Sequence, residues 1–294
     1  MPKIDAFREI LQFDAPTSEL TWLKLGGPIE YLARPRSEQE LLALLNACQE
    51  DGIETRALGD GSALLVSNVG APGMAIQLSE PAFTDIVVES PRVVAGAGAK
   101  LGRLVTTAAS AGLSGIEGLV GVPGTVGAAV VTNASTTDVS LGQWVTSARV
   151  ATYDGKIVEL SADELVFGYR DSNLDVALVL SVELQLDPDS AETLTKRLQK
   201  MWIVREQARP DLKQGEGYAR LFKNPRGERA ADLIKDAGFS GASVGGASVC
   251  QGNPNLVKTS PNCSSADVAR LAALIQEQVR ARIGVELESE LTVW

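Results

Sequence analysis

Apolar residues recur at two spacings along this chain, and the switches between them mark its parts. Residues 38–49 carry Leu41, Leu42, Leu44 and Leu45 at helical spacing, with Ser37 and Glu40 as a capping box before them and Asp51-Gly52 as a stop. Residues 53–58 read as a strand, 92–96 as another, and 101–111 as a helix that Gly112 ends. From about Val145 the period falls to two. Strands over 145–153 and 156–160 flank Asp154-Gly155, a hairpin signal, and along 176–186 the residues Leu178, Leu180, Val182, Leu184 and Leu186 share one face. Helical spacing returns over 191–209, closed by Pro210, and over 228–237, ended by Gly238. It returns again over 267–283, where Val268, Leu271, Ile275, Val279 and Ile283 form a stripe between a Ser264 cap and a Gly284 stop. There is no internal repeat. The pattern predicts an α+β protein: a mixed unit to about 80, a strand-rich middle to about 190 and a C-terminal α/β unit.

Composition narrows the chemistry. The 294 residues are 45% apolar and 22% charged, the balance of an ordinary folded protein. With 27 Lys+Arg against 37 Asp+Glu the net charge is -10, which argues against a broad nucleic-acid surface and leaves room only for a local basic pocket. Histidine is absent, so Ser-His-Asp triads, Cys-His pairs and HExxH zinc sites are excluded. Proton chemistry must use Asp, Glu, Tyr, Ser, Cys, Lys or water. Cys48, Cys250 and Cys263 have no CxxC spacing and an odd count, so neither a disulfide framework nor a thiolate metal site is expected. Asp5 and Glu9 stand where a signal peptide would be apolar, and the apolar stretch 119–131 is far short of the ~20 residues a bilayer needs. A soluble cytoplasmic protein is expected.

Three glycine-rich segments carry the candidate chemistry. In Leu58-Gly59-Asp60-Gly61-Ser62-Ala63-Leu64 two glycines let successive backbone N–H groups converge on a phosphate, with Ser62 as an added donor; a plain strand-to-strand turn is the competing reading. Residues 121–129 (GVPGTVGAA) lack any charge, and their amides with Thr125 can bind anionic oxygens or simply pack closely. Gly96, Gly98 and Gly102 miss the GxGxxG spacing by one residue, so a Rossmann site is not supported.

Seven stretches in order resemble the UDP-N-acetylenolpyruvoylglucosamine reductase family, in its short form, over nearly the whole chain. They are LGGP at 25–28 with RPRS at 34–37, LGDGSALLV at 58–66, GAGAKL at 96–101, GVPGTVGAA at 121–129 with Asn133, FGYRDS at 167–172, LFKNP at 221–225 and LESEL at 287–291. The resemblance implies an FAD-binding fold of the vanillyl-alcohol-oxidase type in two subdomains, 1–80 and 81–195. A substrate domain, 196–294, would follow, its last strand returning to the active site. It implies that FAD is held by Gly59, Asp60, Gly61, Ser62, Ala63, Leu64, Gly121, Val122, Pro123, Gly124, Thr125, Gly127, Ala128 and Asn133. NADPH would be the co-substrate, sharing the cleft of a UDP-sugar. No metal, nucleic acid or membrane partner is implied, and a monomer is expected.

The implied reaction delivers hydride to an enolpyruvyl group, so negative charge builds on the neighbouring carbon and its carboxylate. A fixed cation and an acid there are the cheapest stabilisers. Arg170 matches the enolate-stabilising arginine of the family and Glu290 its acid partner, a carboxyl that would keep its proton if buried. Lys223 and Asn224 match substrate-contacting positions, and Tyr169 and Asn255 are further substrate contacts by the same resemblance. One position departs: where the family has a Ser (or Cys) proton donor, this chain has Arg220, whose guanidinium stays protonated at neutral pH. Ala63, where Asn is common, is a milder change. Three outcomes follow from Arg220. Tyr218, Cys250, a flavin-side Ser or water donates the proton instead; or Arg220 holds an added anionic group of an altered substrate; or the chain binds FAD and a nucleotide sugar without turnover.

Overall fold

Local capping bounds the main helices. In the computed structural model, which describes residues 2–294, the helices are α1 (Thr17–Leu20), α2 (Glu38–Asp51), α3 (Leu101–Ser110), α4 (Val126–Val131), α5 (Ala191–Gln207), α6 (Ala230–Asp236) and α7 (Ser265–Ile283). Ser37 Oγ accepts from Glu40 N at the start of α2, and Gly52 closes that helix at φ 68°. The Glu40 carboxylate reaches back to Arg36 N (2.6 Å), one residue before the reciprocal bond of a capping box. The Ser264/Asp267 capping box and Gly284 at φ 82° bound α7 as the spacing predicts. The expected strand 53–58 is only Thr55–Ala57, and α5 stops two residues short of the expected end.

Contacts group the chain into two units, differently from the linear three-part division expected above. The first contains residues 1–13, 31–59 and 73–207; the second contains 14–30, 60–72 and 208–294. The first unit is built on an antiparallel five-stranded sheet. Its strands lie in the order Ile157–Ser161, Val145–Thr152, Ala177–Gln185, Arg92–Gly96, Ile86–Glu89. The Asp154-Gly155 hairpin forms, with Gly155 at φ 76°. The central strand Ala177–Gln185 buries Leu178, Leu180, Val182 and Leu184, and also Ala177 and Val179 on its other face, so it is covered on both sides near its start. Leu101, Leu104, Val105 and Ala108 of α3 and Val126, Ala129 and Val130 of α4 complete this core.

The second unit has an antiparallel sheet in the order Gly217–Arg220, Leu256–Thr259, Ala247–Val249, Ser243–Val244. Ala219, Val257, Val249 and Ala247 pack with Ile234 of α6 and with Val268, Leu271, Ile275 and Val279 of α7. The alternate residues Tyr218 and Arg220 therefore project from the other face. At the C-terminus Thr292–Val293 pairs in parallel with Leu64–Leu65, tying the last residues to this unit's 60–72 segment. Among the described residues no helix is long and apolar enough to cross a membrane.

Two predictions follow from this packing. Burial pushes the Cys48 and Cys263 thiols up to about 11, with Asp51 and Asp267 adding to the shift. At pH 8 an aromatic disulfide reagent is expected to leave both unmodified in the folded protein, while all three cysteines titrate in denaturant. At the start of α7, Asp267 accepts from Ser264 N (3.0 Å) and from the Ser264 hydroxyl, Arg270 and Gly246 N, which hold its carboxyl far below the usual range. A carboxyl depressed in the fold contributes stability above its unfolded pKa of about 4 and loses it as pH falls through the folded value. Asp267→Asn should thus lower Tm at pH 7, and the gap to the parent should narrow on acidification toward pH 3. Ser264→Ala should cost about 1 kcal/mol by urea unfolding.

Candidate active site

In the first unit the glycine-rich segments pack against one another. Leu101 N donates to Gly124 O (3.0 Å), Val126 N to Ala99 O (2.8 Å) and Gly127 N to Ala97 O (2.8 Å), so the 96–101 motif is the bed on which 124–127 lies. Thr125 caps α4, its hydroxyl accepting from Ala128 N. Residues 126–131 form this short helix rather than part of a turn. Gly59 lies directly over the cap: a Cβ there would come within 3.0 Å of Thr125 Oγ1 and 3.1 Å of Ala128 Cβ. The first turn of the 58–64 motif thus meets the cap of α4, and an added side chain would have to push that cap back by a few tenths of an ångström. Upstream, α5 grips the approach to Gly121. Arg205 donates to the carbonyls of Gly118 (2.6 Å) and Val120. Arg197 bonds Glu117, whose carboxylate also accepts from Gly115 N (2.7 Å). Burial raises the Glu117 carboxyl, but these donors outweigh it and hold it below the usual range.

Residues 60–64 belong to the second unit. Gly61 has φ 64°, and any Cβ there would collide with the Leu20 carbonyl. Trp22 N donates to Gly61 O (3.0 Å) and Thr292 N to Ala63 O (2.9 Å). In a trans peptide C=O and N–H point opposite ways, so the Ser62 N–H faces away from Trp22. Leu64 is buried in its strand, while Asp60, Ser62 and Ala63 stay partly open. The amides of 126–128 are bonded within the protein, so the outward-turned Ser62 N–H is the main-chain donor that suits the pyrophosphate of a flavin dinucleotide, in a pair of motifs without Lys or Arg.

Arg170 stands on a hairpin of the first unit. Phe167–Gly168 pairs with Asp171–Ser172, and Tyr169 and Arg170 form its two-residue turn. Arg170 has φ 56°, a left-handed conformation that L side chains rarely adopt, and is half-buried; Tyr169 is exposed. Asn133, expected to contact cofactor, has another place. It is 5% exposed, its Nδ2 donates to Gly168 O (2.7 Å) and its Oδ1 accepts from Gly142 N (2.9 Å). Its amide is taken up by the hairpin.

In the second unit the two remaining motifs pair. Glu290 N donates to Leu221 O (2.8 Å) and Lys223 N to Glu288 O (2.9 Å), with Phe222 opposite Ser289, so LFKNP and LESEL run antiparallel. This brings Glu290 to Arg220, Nε to Oε2 3.6 Å, with side chains 18% and 41% exposed respectively. Lys223 forms an ion pair with Glu288. Asn224 Oδ1 accepts from Ala230 N (3.0 Å), satisfying an open donor at the start of α6. Asn255, expected to touch substrate, is 1% exposed and clamps the Phe222 main chain, Oδ1 accepting from Phe222 N (3.0 Å) and Nδ2 donating to Phe222 O (2.7 Å). It holds the segment that carries Arg220 and Lys223. The role of Glu288 was not read from sequence, although its period-two spacing from Glu290 puts both on one side of an extended segment. Tyr218 shares the face of Arg220; its ring stacks near Trp22 at 5.3 Å, and Lys258, opposite it in register, pairs with Glu216 at 3.4 Å.

Residues 29–161 match the family model of an FAD binding domain, and residues 213–294 match that of the UDP-N-acetylenolpyruvoylglucosamine reductase C-terminal domain. The UDP-N-acetylenolpyruvoylglucosamine reductase of Rhodopirellula baltica is 36% identical over 285 residues, covering 97% of this chain and 93% of that protein. The enzyme of that name from Moorella thermoacetica is 37% identical, covering 95% and 91%. The crystal structure of the Thermus caldophilus reductase superposes with a TM-score of 0.80 at 31% identity, over 97% of this chain and 98% of that one. The 6-hydroxy-D-nicotine oxidase of Arthrobacter nicotinovorans, 15% identical with a TM-score of 0.58, shares the fold alone. This is the FAD-binding fold of the vanillyl-alcohol-oxidase type. With identity this high along almost the full length of its relatives, the chain belongs to the UDP-N-acetylenolpyruvoylglucosamine reductase family.

Proposed function

We propose that the protein reduces UDP-N-acetylglucosamine enolpyruvate to UDP-N-acetylmuramate with NADPH and FAD, a step of peptidoglycan precursor synthesis, as a cytoplasmic monomer. The observation that carries this reading is the pair of built anchor points: a left-handed hairpin that presents Arg170, and a hydrogen-bonded pairing that presents Glu290 beside Arg220. Bound FAD supplies hydride transfer, which is why a chain without histidine can run the reaction. The Ser62 N–H in the 59–63 turn offers its phosphates a main-chain donor, and the loop at 121–128, its amides at 126–128 bonded within the protein, lines the cofactor. Arg170 places a permanent positive charge where the enolate and its carboxylate develop negative charge, and a fixed charge there costs no reorganisation during the reaction. Lys223 offers a mobile cation to the diphosphate of the nucleotide, and Tyr169 flanks the sugar.

Arg220, at the position of the family's proton-donating hydroxyl, performs an electrostatic task instead. A guanidinium holds all its protons at neutral pH, so it orients Glu290 and opposes substrate charge, and the proton for the second carbon comes from a neutral group. Tyr218 is the nearest such group on the same strand face.

Two measurements test this reading. Without oxygen, NADPH consumption beyond one equivalent per flavin should require the enolpyruvyl sugar nucleotide, with a product two hydrogens heavier by mass spectrometry; steady NADPH oxidation indifferent to that substrate contradicts the reading. Arg220→Ser should lower kcat by about tenfold, as for the loss of one charged contact near the reacting atoms. Turnover that appears only after this substitution would mark the parent as a flavin-binding protein that has lost catalysis.

A further inference from the structure

Three pieces of the first unit meet at a single side chain. Asn133 follows α4, the helix capped by the glycine-rich loop; Gly168 is one residue before the turn that carries Arg170; and Gly142 lies in the short turn Leu141–Gln143. The Asn133 carboxamide joins all three, donating to the Gly168 carbonyl (2.7 Å) and accepting from Gly142 N (2.9 Å). A second bond crosses the same seam, from Ser172 Oγ to the Val131 carbonyl (2.7 Å), and that hydroxyl also accepts from Leu174 N (3.3 Å). Gly142 sits so close under the hairpin that a Cβ there would collide with the Phe167 ring. Asn133 and Arg170 are both non-glycine residues in the left-handed region, at φ 41° and 56°. Such conformations cost roughly 1–3 kcal/mol each and persist only where surrounding bonds over-determine them.

The base of the hairpin is secured separately, by Asn173 to Glu164 O (2.8 Å) and to Val166 N (3.0 Å). Among these bonds, the one nearest the Arg170 turn is that from Asn133 to Gly168. We propose that Asn133 is a positioning residue for Arg170, one that ties the guanidinium's turn to the end of the helix whose cap serves the cofactor loop. Its carboxamide faces the hairpin and the Gly142 turn. It acts on the enolate-forming step and not on FAD affinity. This inference rests on the proposed function for its catalytic meaning, but the mechanical tie is testable without it.

The test compares Asn133→Asp, which keeps the acceptor for Gly142 N and loses the donor to Gly168 O, with Asn133→Ala and Ser172→Ala. Hydrogen exchange followed by mass spectrometry on the FAD-loaded proteins should show faster exchange at 167–172, joined in Asn133→Ala alone by Gly142, whose N–H loses its acceptor. FAD affinity of the apoprotein, read by flavin fluorescence, and the rate of flavin bleaching by NADPH should stay within about twofold. Reoxidation by the enolpyruvyl sugar nucleotide should slow by about tenfold to a hundredfold at nearly constant KM, the cost of misplacing a catalytic group by ~1 Å. In an Arg170→Lys background the same change should cost little more, because the two residues act as one unit. Unchanged exchange at 167–172, or FAD affinity and bleaching that fall as far as reoxidation does, overturns the inference and returns Asn133 to the cofactor. If the parent protein itself is not reoxidised by the sugar nucleotide, the proposed function fails, and the exchange result still decides whether Asn133 holds the hairpin.

Discussion

Main-chain hydrogen bonds, far more than side-chain charge, place the reactive groups of this protein. Glu290 is held because residues 288–290 pair with 221–223 edge to edge, and Arg170 is held because a buried amide grips the peptide just before its turn. Charged side chains at the protein surface move easily and their pairings are worth little by themselves. The 3.6 Å separation of Arg220 and Glu290, with one partner 41% exposed, would contribute little to stability in isolation. Its value lies in where the two strands put it. The same economy holds for the glycine-rich turns proposed to meet the cofactor, which carry no Lys or Arg.

Two asparagines show how the scaffold spends its buried polar groups. Asn133 and Asn255 each satisfy a donor and an acceptor of distant backbone, at Gly142 and Gly168 in one case and at both sides of Phe222 in the other. A buried carboxamide left unpaired would cost more than these bonds contribute, so each fixes its segment in one geometry. Both adjoin motifs that carry the proposed chemistry, which places rigidity where Arg170 and Lys223 need it. Arg220 is accommodated because position 220 projects from the sheet face opposite α6 and α7, where a long side chain displaces no core.

What the sequence disclosed followed the range of the interactions. The α2 and α7 caps, the Asp154-Gly155 turn and the alternating strand through Leu178–Leu184 were legible because their hydrogen bonds or burial close within a few residues. The six residues of α4 were not read as a helix: they are rich in valine with one glycine, and a tertiary bed at 97–101 stabilises what propensity disfavours. The strands Leu11–Pro16 and Ala71–Ile76 were missed because the first is mostly exposed and the second carries Pro72 and Gly73, so neither shows a period-two apolar run. The family motifs singled out Arg170, Glu290 and the glycine turns. The backbone clamps made by Asn133 and Asn255 were not legible, since an Asn that binds a ligand and one that clamps backbone look alike until partners 35 and 33 residues away are known.

The central claim is that these anchored groups make a flavin reductase specific for an enolpyruvyl sugar nucleotide. Anaerobic spectroscopy of the FAD-loaded protein addresses it most directly: NADPH is added until the oxidised flavin band is lost, and then UDP-N-acetylglucosamine enolpyruvate is introduced. Stoichiometric return of the oxidised band, absent with UDP-N-acetylglucosamine, is the predicted result. A band that stays bleached until oxygen is admitted would contradict the account.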